Sequence, residues 1–127
     1  MRALVIDDSR AMRRIVGTIL TDLGFEVREA GDGRQALDVL EEGYLPDVCC
    51  IDWNMPVMDG LQFVFAVRAN PAYRQVTLMM VTTESETGQI VKALAAGAHE
   101  YLIKPFTADA MVDKLRLLGV HPEAVSA

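Results

Sequence analysis

The sequence predicts an α/β domain, a five-stranded parallel sheet with helices on both faces, and three observations predict it. Short apolar runs alternate five times with longer segments of helical period. Two of the runs, at 47–51 and 76–81, are apolar almost throughout, as strands covered on both faces are. No segment repeats and no linker or low-complexity stretch divides the 127 residues, so one core serves the whole chain.

Ala3-Leu4-Val5-Ile6 is the first strand. Ala11, Met12, Ile15, Val16, Ile19, Leu20 and Leu23 then recur on one helical face, with Ser9 as the cap and Gly24 as the stop. Phe25 to Ala30 has mixed polarity and reads as an edge strand. The Gly31-Asp32-Gly33 turn leads from it into a helix carrying Ala36, Leu37 and Leu40. Asp47-Val48-Cys49-Cys50-Ile51 is a central strand ending at Asp52, followed by a loop from Trp53 to Asp59. A helix from about Gly60 to Ala69 should turn Leu61, Val64 and Phe65 inward before Asn70-Pro71 ends it.

Val76 to Val81 is the fourth strand. Thr83-Glu84-Ser85-Glu86 has the capping-box spacing, which predicts a helix from there to Ala96, stopped by Gly97. His99 to Ile103 is the last strand, Lys104-Pro105 breaks it, and Met111, Val112, Leu115 and Leu118 mark an amphipathic final helix. The domain is expected to span 1–119, with 120–127 as a frayed C-terminal tail.

Composition excludes several function classes. Twelve Lys and Arg against eighteen Asp and Glu leave a net charge of −6, so neither nucleic acid nor an anionic membrane is an expected partner. No apolar run approaches the roughly 20 residues of a membrane span, and Asp7 and Asp8 interrupt any signal-peptide core, so a cytoplasmic location is expected. Cys49 and Cys50 are neighbours whose side chains alternate across a strand, which suits two small buried residues in a reducing compartment rather than a disulfide framework. No CxxC or HExxH occurs, and His99 and His121 stand far apart, against a zinc site.

In an open parallel sheet, ligands bind beyond the carboxyl ends of the strands. The residues delivered there are Asp7 and Asp8, then Asp52, then Thr82 and Thr83, then Lys104-Pro105. Carboxylates about 5 Å apart repel by roughly 3 kcal/mol per pair at an effective dielectric near 20. Lys104 alone cannot balance three acids, and an all-oxygen set at an open rim suits Mg²⁺ together with a phosphoryl group. Asp7 and Asp8 have an ordinary alternative as helix-capping residues, Lys104 as a solvated turn lysine and Tyr101 as a half-buried strand aromatic. For Asp52 that alternative is weaker, because folding does not require a carboxylate at the end of a buried strand.

The segments Asp7-Asp8-Ser9, Met12-Arg13-Arg14-Ile15-Val16, Asp52-Trp53-Asn54-Met55-Pro56, Met58-Asp59-Gly60, Met80-Val81-Thr82 and Tyr101-Leu102-Ile103-Lys104-Pro105-Phe106 stand in a characteristic order and spacing. From Val5 to about Leu118 the chain resembles the response-regulator receiver family, in its single-domain chemotaxis branch. That resemblance implies a flavodoxin-like (βα)5 three-layer sandwich with strand order 2-1-3-4-5. It implies that Asp52 accepts a phosphoryl group from a histidine kinase. Asp8, Asp52 and the backbone carbonyl of Asn54 would hold Mg²⁺, with Asp7 acting through water, while Thr82 and Lys104 would contact phosphoryl oxygens.

The resemblance further implies that a shift of Thr82 opens space for Tyr101. A downstream target would then bind the face formed by the fourth helix, last strand and fifth helix, including Ile90, Tyr101, Ile103 and Lys114. Asn54 and Glu84 would flank the attacking water and set the hydrolysis lifetime, with a phosphatase as a further partner, and Lys104-Pro105 would be cis. Chemotaxis members often carry basic residues early in the fourth helix, where this chain has Glu86-Thr87-Gly88. Its partner surface is therefore more acidic, and Gly88 weakens the helix by about 1 kcal/mol relative to Ala.

Two readings from other classes compete. Gly31-x-Gly33-x-x-Ala36 spells a dinucleotide fingerprint, but it follows the second strand and leaves the acids and Lys104 unexplained. An Mg²⁺-dependent phosphohydrolase could use the same groups, yet such enzymes typically carry a second acid two residues after the nucleophile, where this chain has Asn54. The expected function is thus a stand-alone regulator working through protein binding. It would not be an enzyme beyond self-catalysed phosphoryl acceptance and slow autodephosphorylation. A phosphorelay intermediate passing its phosphoryl group to a histidine, or a receiver cut from a longer protein, is the runner-up.

Overall fold

The computed structural model describes residues 1–122. The elements are β1 (Arg2–Ile6), α1 (Arg10–Asp22), β2 (Glu26–Ala30), α2 (Gly33–Glu41), β3 (Val48–Ile51), α3 (Gly60–Ala69), a 3-10 turn (Pro71–Tyr73), β4 (Thr77–Thr82), α4 (Thr87–Ala96), β5 (Glu100–Ile103) and α5 (Ala108–Leu117). All five strands run parallel in the order β2-β1-β3-β4-β5, so the charged Glu26–Ala30 strand is an edge, as its mixed polarity predicts.

Alternation along the central strands divides the core in two. Leu4, Ile6, Cys49, Ile51, Leu78 and Met80 face Leu37 and Leu40 of α2, Phe63, Val64 and Val67 of α3, and Ala93 of α4. Ala3, Val5, Val48, Cys50, Met79 and Val81 face Val16 and Leu20 of α1 and Met111 and Leu115 of α5. Each fully buried aliphatic side chain contributes about 1.5–3 kcal/mol, enough to hold both helical layers on the sheet. The adjacent cysteines fall on opposite faces, and burial pushes both thiols up, Cys50 to about 12, which leaves them unreactive.

Helix ends follow local chemistry. The Ser9 hydroxyl accepts from the Met12 N–H at 3.2 Å to start α1, and Gly97 closes α4 at a φ of +124°, where a side chain would be strained. Gly33 has a packing use. A Cβ there would lie 2.7 Å from Met58 Cγ, and its N–H donates to the Met58 carbonyl at 3.0 Å, so the glycine lets α2 close on the loop after β3.

Four expectations need correction. The apolar face of α1 is narrower than its spacing suggests, since Ile15 is 51 % exposed and Ala11 is also at the surface. Phe65 is 54 % exposed while Phe63 is fully buried, because α3 is apolar nearly all round and periodicity cannot choose its inner face. The capping box at Thr83 does not form. α4 starts at Thr87 behind an uncapping Glu86, because Glu84 is drawn into bonds with Asn54 and Tyr101 instead. Fraying after Gly119 does not reach Val120 and His121, which are buried, while the remainder of that tail, 123–127, lies outside the described residues. Lys104-Pro105 is cis, and no helix among the described residues is long and apolar enough to cross a membrane.

Candidate functional site

Parallel register brings the strand ends to one rim. Ile6 lies opposite both Ala30 and Ile51, Ile51 opposite Met80, and Thr82 opposite Ile103. The ladder continues one residue further, with the Asp52 N–H donating to the Ile6 carbonyl at 2.9 Å, the Asp7 N–H to Ala30 at 3.1 Å and the Lys104 N–H to Thr82 at 2.9 Å. Asp7, Asp52, Thr82 and Lys104 are therefore set side by side by backbone bonds. Gly60 completes the floor, since a Cβ on it would run into the Asp52 carbonyl, and its N–H donates to Trp53 at 2.8 Å.

One carboxylate oxygen each from Asp7, Asp8 and Asp52 can be chosen so that all lie within 4.8 Å of one another. Asp7 is buried, its Oδ1 accepting from the Ser9 N–H at 2.9 Å and its Oδ2 from Lys104 Nζ at 2.7 Å. Asp52 is 8 % exposed, its Oδ1 accepting from the Trp53 N–H at 2.9 Å, with Lys104 Nζ 3.6 Å away. Burial raises the Asp52 pKa and Asp7 adds to the rise, against the lowering effects of Lys104, the Thr82 hydroxyl and the Trp53 N–H. Asp8 is exposed and makes no hydrogen bond or ion pair with the described residues. Three acids against one ammonium, all-oxygen donors and one carboxylate open to water form a cluster that could hold a hydrated Mg²⁺.

A second set of contacts leads away from the rim. Thr82 is fully buried, and its Oγ1 accepts from the Glu84 N–H at 3.4 Å. Asn54 Nδ2 donates to Glu84 Oε1 at 2.8 Å, and the Tyr101 hydroxyl donates to the Glu84 carbonyl at 2.6 Å. Tyr101 is buried, and burial pushes its hydroxyl pKa to about 12, with the charges of Glu84 and Asp52 adding to the rise. Glu84 thus touches both the loop after β3 and the strand aromatic.

Of the expected output residues, Ile103 is exposed, Ile90 is half-buried, and Lys114 is tied to Glu100 at 3.1 Å. Val91 and Leu94 of α4 are exposed beside them and were not singled out by sequence. Sequence reasoning also missed Arg13, whose Nη1 donates to the Asp7 carbonyl at 2.7 Å and whose Nε donates to Glu29 at 3.0 Å. No residue-type pattern announces it, because its partner at the site is a backbone oxygen.

A family model described as response regulator receiver domain matches residues 3–116. The chain is 44 % identical over 116 residues to a chemotaxis protein CheY homolog of Campylobacter jejuni, covering 91 % of this chain and 89 % of that one. It is 40 % identical over 119 residues to the chemotaxis protein CheY1 of Helicobacter pylori, covering 93 % and 96 %. Among solved structures, that of the Vibrio cholerae chemotaxis response regulator CheY4 superposes with a TM-score of 0.84 at 38 % identity, over 92 % of this chain and 97 % of that one.

Proposed function

This chain belongs to the response regulator receiver domain family, and from that premise we propose that it is a cytoplasmic response regulator whose Asp52 is phosphorylated by a histidine kinase. Receiver domains of this type are signalling proteins that hold Mg²⁺ in an acidic pocket, rather than conventional enzymes. The observation that carries the reading is the gathering of Asp7, Asp8, Asp52, Thr82 and Lys104 on one rim by strand register.

Asp52 acts as a nucleophile in its ionised form, which the Thr82 and Trp53 donors and Lys104 favour against its burial. One of its oxygens forms a new O–P bond as the N–P bond of the donor's phosphohistidine breaks, the electron pair leaving with the imidazole. Asp8, Asp52 and the Asn54 carbonyl would hold Mg²⁺, with Asp7 acting through water, and the ion would supply charge neutralisation for the phosphoryl oxygens. Lys104, already between Asp7 and Asp52, is positioned to neutralise a further oxygen. Asn54 and Glu84, joined at 2.8 Å, would govern the approach of water and hence the lifetime of the acyl phosphate.

Output follows from the contacts of Thr82. A hydroxyl drawn toward new negative charge would alter its bond with the Glu84 N–H, and Tyr101 is anchored on the carbonyl of that same residue. The change would reach the α4–β5–α5 face at Ile90, Tyr101, Ile103 and Lys114, where a target protein binds and a phosphatase has access. The relatives named as chemotaxis proteins favour chemotaxis as the setting.

Intact-mass analysis after treatment with acetyl phosphate and Mg²⁺ tests the acceptor. One phosphoryl group per chain, absent from Asp52→Asn, is the expected result, and an equally modified variant would refute the assignment.

A further inference from the structure

We propose that Arg13 is a positioning residue that aims the Asp8 carboxylate at the metal site, an inference that rests on reading the acid cluster as an Mg²⁺ site. The three acids are held very unequally. Asp52 is fixed by its place at the end of β3 and by the Trp53 N–H. Asp7 is held at its backbone N–H by Ala30, at Oδ1 by Ser9, at Oδ2 by Lys104 and at its carbonyl by Arg13. Asp8 has no side-chain partner among the described residues, so its aim is set by the backbone alone.

The peptide group joining Asp7 to Asp8 is a rigid plane, and its rotation decides the direction in which the Asp8 side chain leaves. The oxygen of that plane is the one Arg13 Nη1 holds at 2.7 Å. Arg13 is itself fixed from the other side, its Nε donating at 3.0 Å to Glu29, and its side chain is only 19 % exposed. Glu29 lies opposite Val5 in the register of β1 and β2. The edge strand therefore supports the Asp7–Asp8 peptide through a single guanidinium. A planar fork with fixed N–H directions meets two acceptors set apart in this way, and a lysine ammonium does not reproduce it.

Charge and positioning predict opposite signs here, which makes the proposal testable. A cation near a cation site repels Mg²⁺, so if charge were all that mattered, Arg13→Met would tighten binding and Arg13→Lys would leave it unchanged. Loss of an outer support typically weakens metal affinity tenfold or more. Calorimetric Mg²⁺ titration of the full chain is therefore expected to give a Kd raised about tenfold in both variants, with thermal unfolding without metal confirming the fold. Arg13→Lys binding like the wild type, or Arg13→Met binding more tightly, overturns the proposal.

Glu29 offers a second test that leaves Arg13 in place. Glu29→Gln and Glu29→Leu both remove the charge, but only the second removes the acceptor, so the Leu variant is expected to bind Mg²⁺ about threefold more weakly than the Gln variant. Equal affinities count against the proposal. A wild-type chain that takes up no Mg²⁺ at millimolar concentration removes the metal-site reading itself, an outcome distinct from wild-type-like binding by Arg13→Lys.

Discussion

The two ends of the sheet treat charge in opposite ways. At the carboxyl end, three acids share one ammonium and Asp8 is left open to solvent. At the amino end, arginines are closed onto backbone and rings. Arg68 donates to the carbonyls of Gly97 at 3.1 Å, Tyr73 at 3.3 Å and Val76 at 2.6 Å. Arg2 and Arg28 lie over the Tyr44 ring at 5.2 and 5.1 Å, and the Tyr44 hydroxyl donates to the Ala3 and Glu26 carbonyls. One end satisfies its polar groups internally and stabilises the fold, while the other leaves negative charge in excess for something from outside.

Substitutions should separate these roles. The largest effect on stability is expected at the amino end, where Arg68→Met leaves carbonyls from three segments without their charged donor. Urea unfolding should show a loss of about 3 kcal/mol, with Mg²⁺ affinity unchanged. At the carboxyl end the pattern reverses. Asp8→Ala should abolish Mg²⁺-dependent quenching of Trp53, the only tryptophan, while stability stays within about 0.5 kcal/mol of the parent.

A smaller effect concerns pH. Burial raises the folded-state pKa of Asp52 above its ordinary value, so the folded state holds its proton more firmly than the unfolded chain does. Its contribution is favourable below the ordinary carboxylate range and is lost as pH rises through the raised pKa. Asp52→Asn should therefore be the more stable protein at pH 7 without Mg²⁺, with the difference vanishing in acid, as urea midpoints at the two pH values would reveal.

The smallest expected effect lies at the amino end. The His99 pKa is lowered by partial burial and by Arg68, and its Nδ1 accepts from the Leu78 N–H at 3.1 Å. A base with a lowered folded pKa loses stability as pH falls below its ordinary value near 6.5. His99→Gln should remove part of the decline in urea midpoint between neutral and mildly acid pH, and an identical decline would sink this reading.

Legibility in the sequence divides along similar lines. The strands could be read because Val48–Ile51 and the 78–81 stretch of β4 are buried on both faces and therefore apolar without interruption. The rim could be read because chemistry at a strand end needs residue types, Asp, Thr and Lys, that the strand itself does not. Phe65 could not be placed, since an all-apolar helix carries no phase, and the start of α4 could not, since tertiary bonds to Glu84 overrode a valid capping pattern. Arg13 and Arg68 share another obstacle. Each acts on backbone carbonyls, which every residue possesses and no sequence marks.

The claim that the open acidic rim is a magnesium-dependent phosphoacceptor is tested most directly by ³¹P NMR of the chain incubated with acetyl phosphate. One acyl-phosphate resonance per chain, dependent on Mg²⁺ and missing from Asp52→Asn, is the predicted result. A resonance of equal intensity without the metal, or one that persists in the variant, would contradict it.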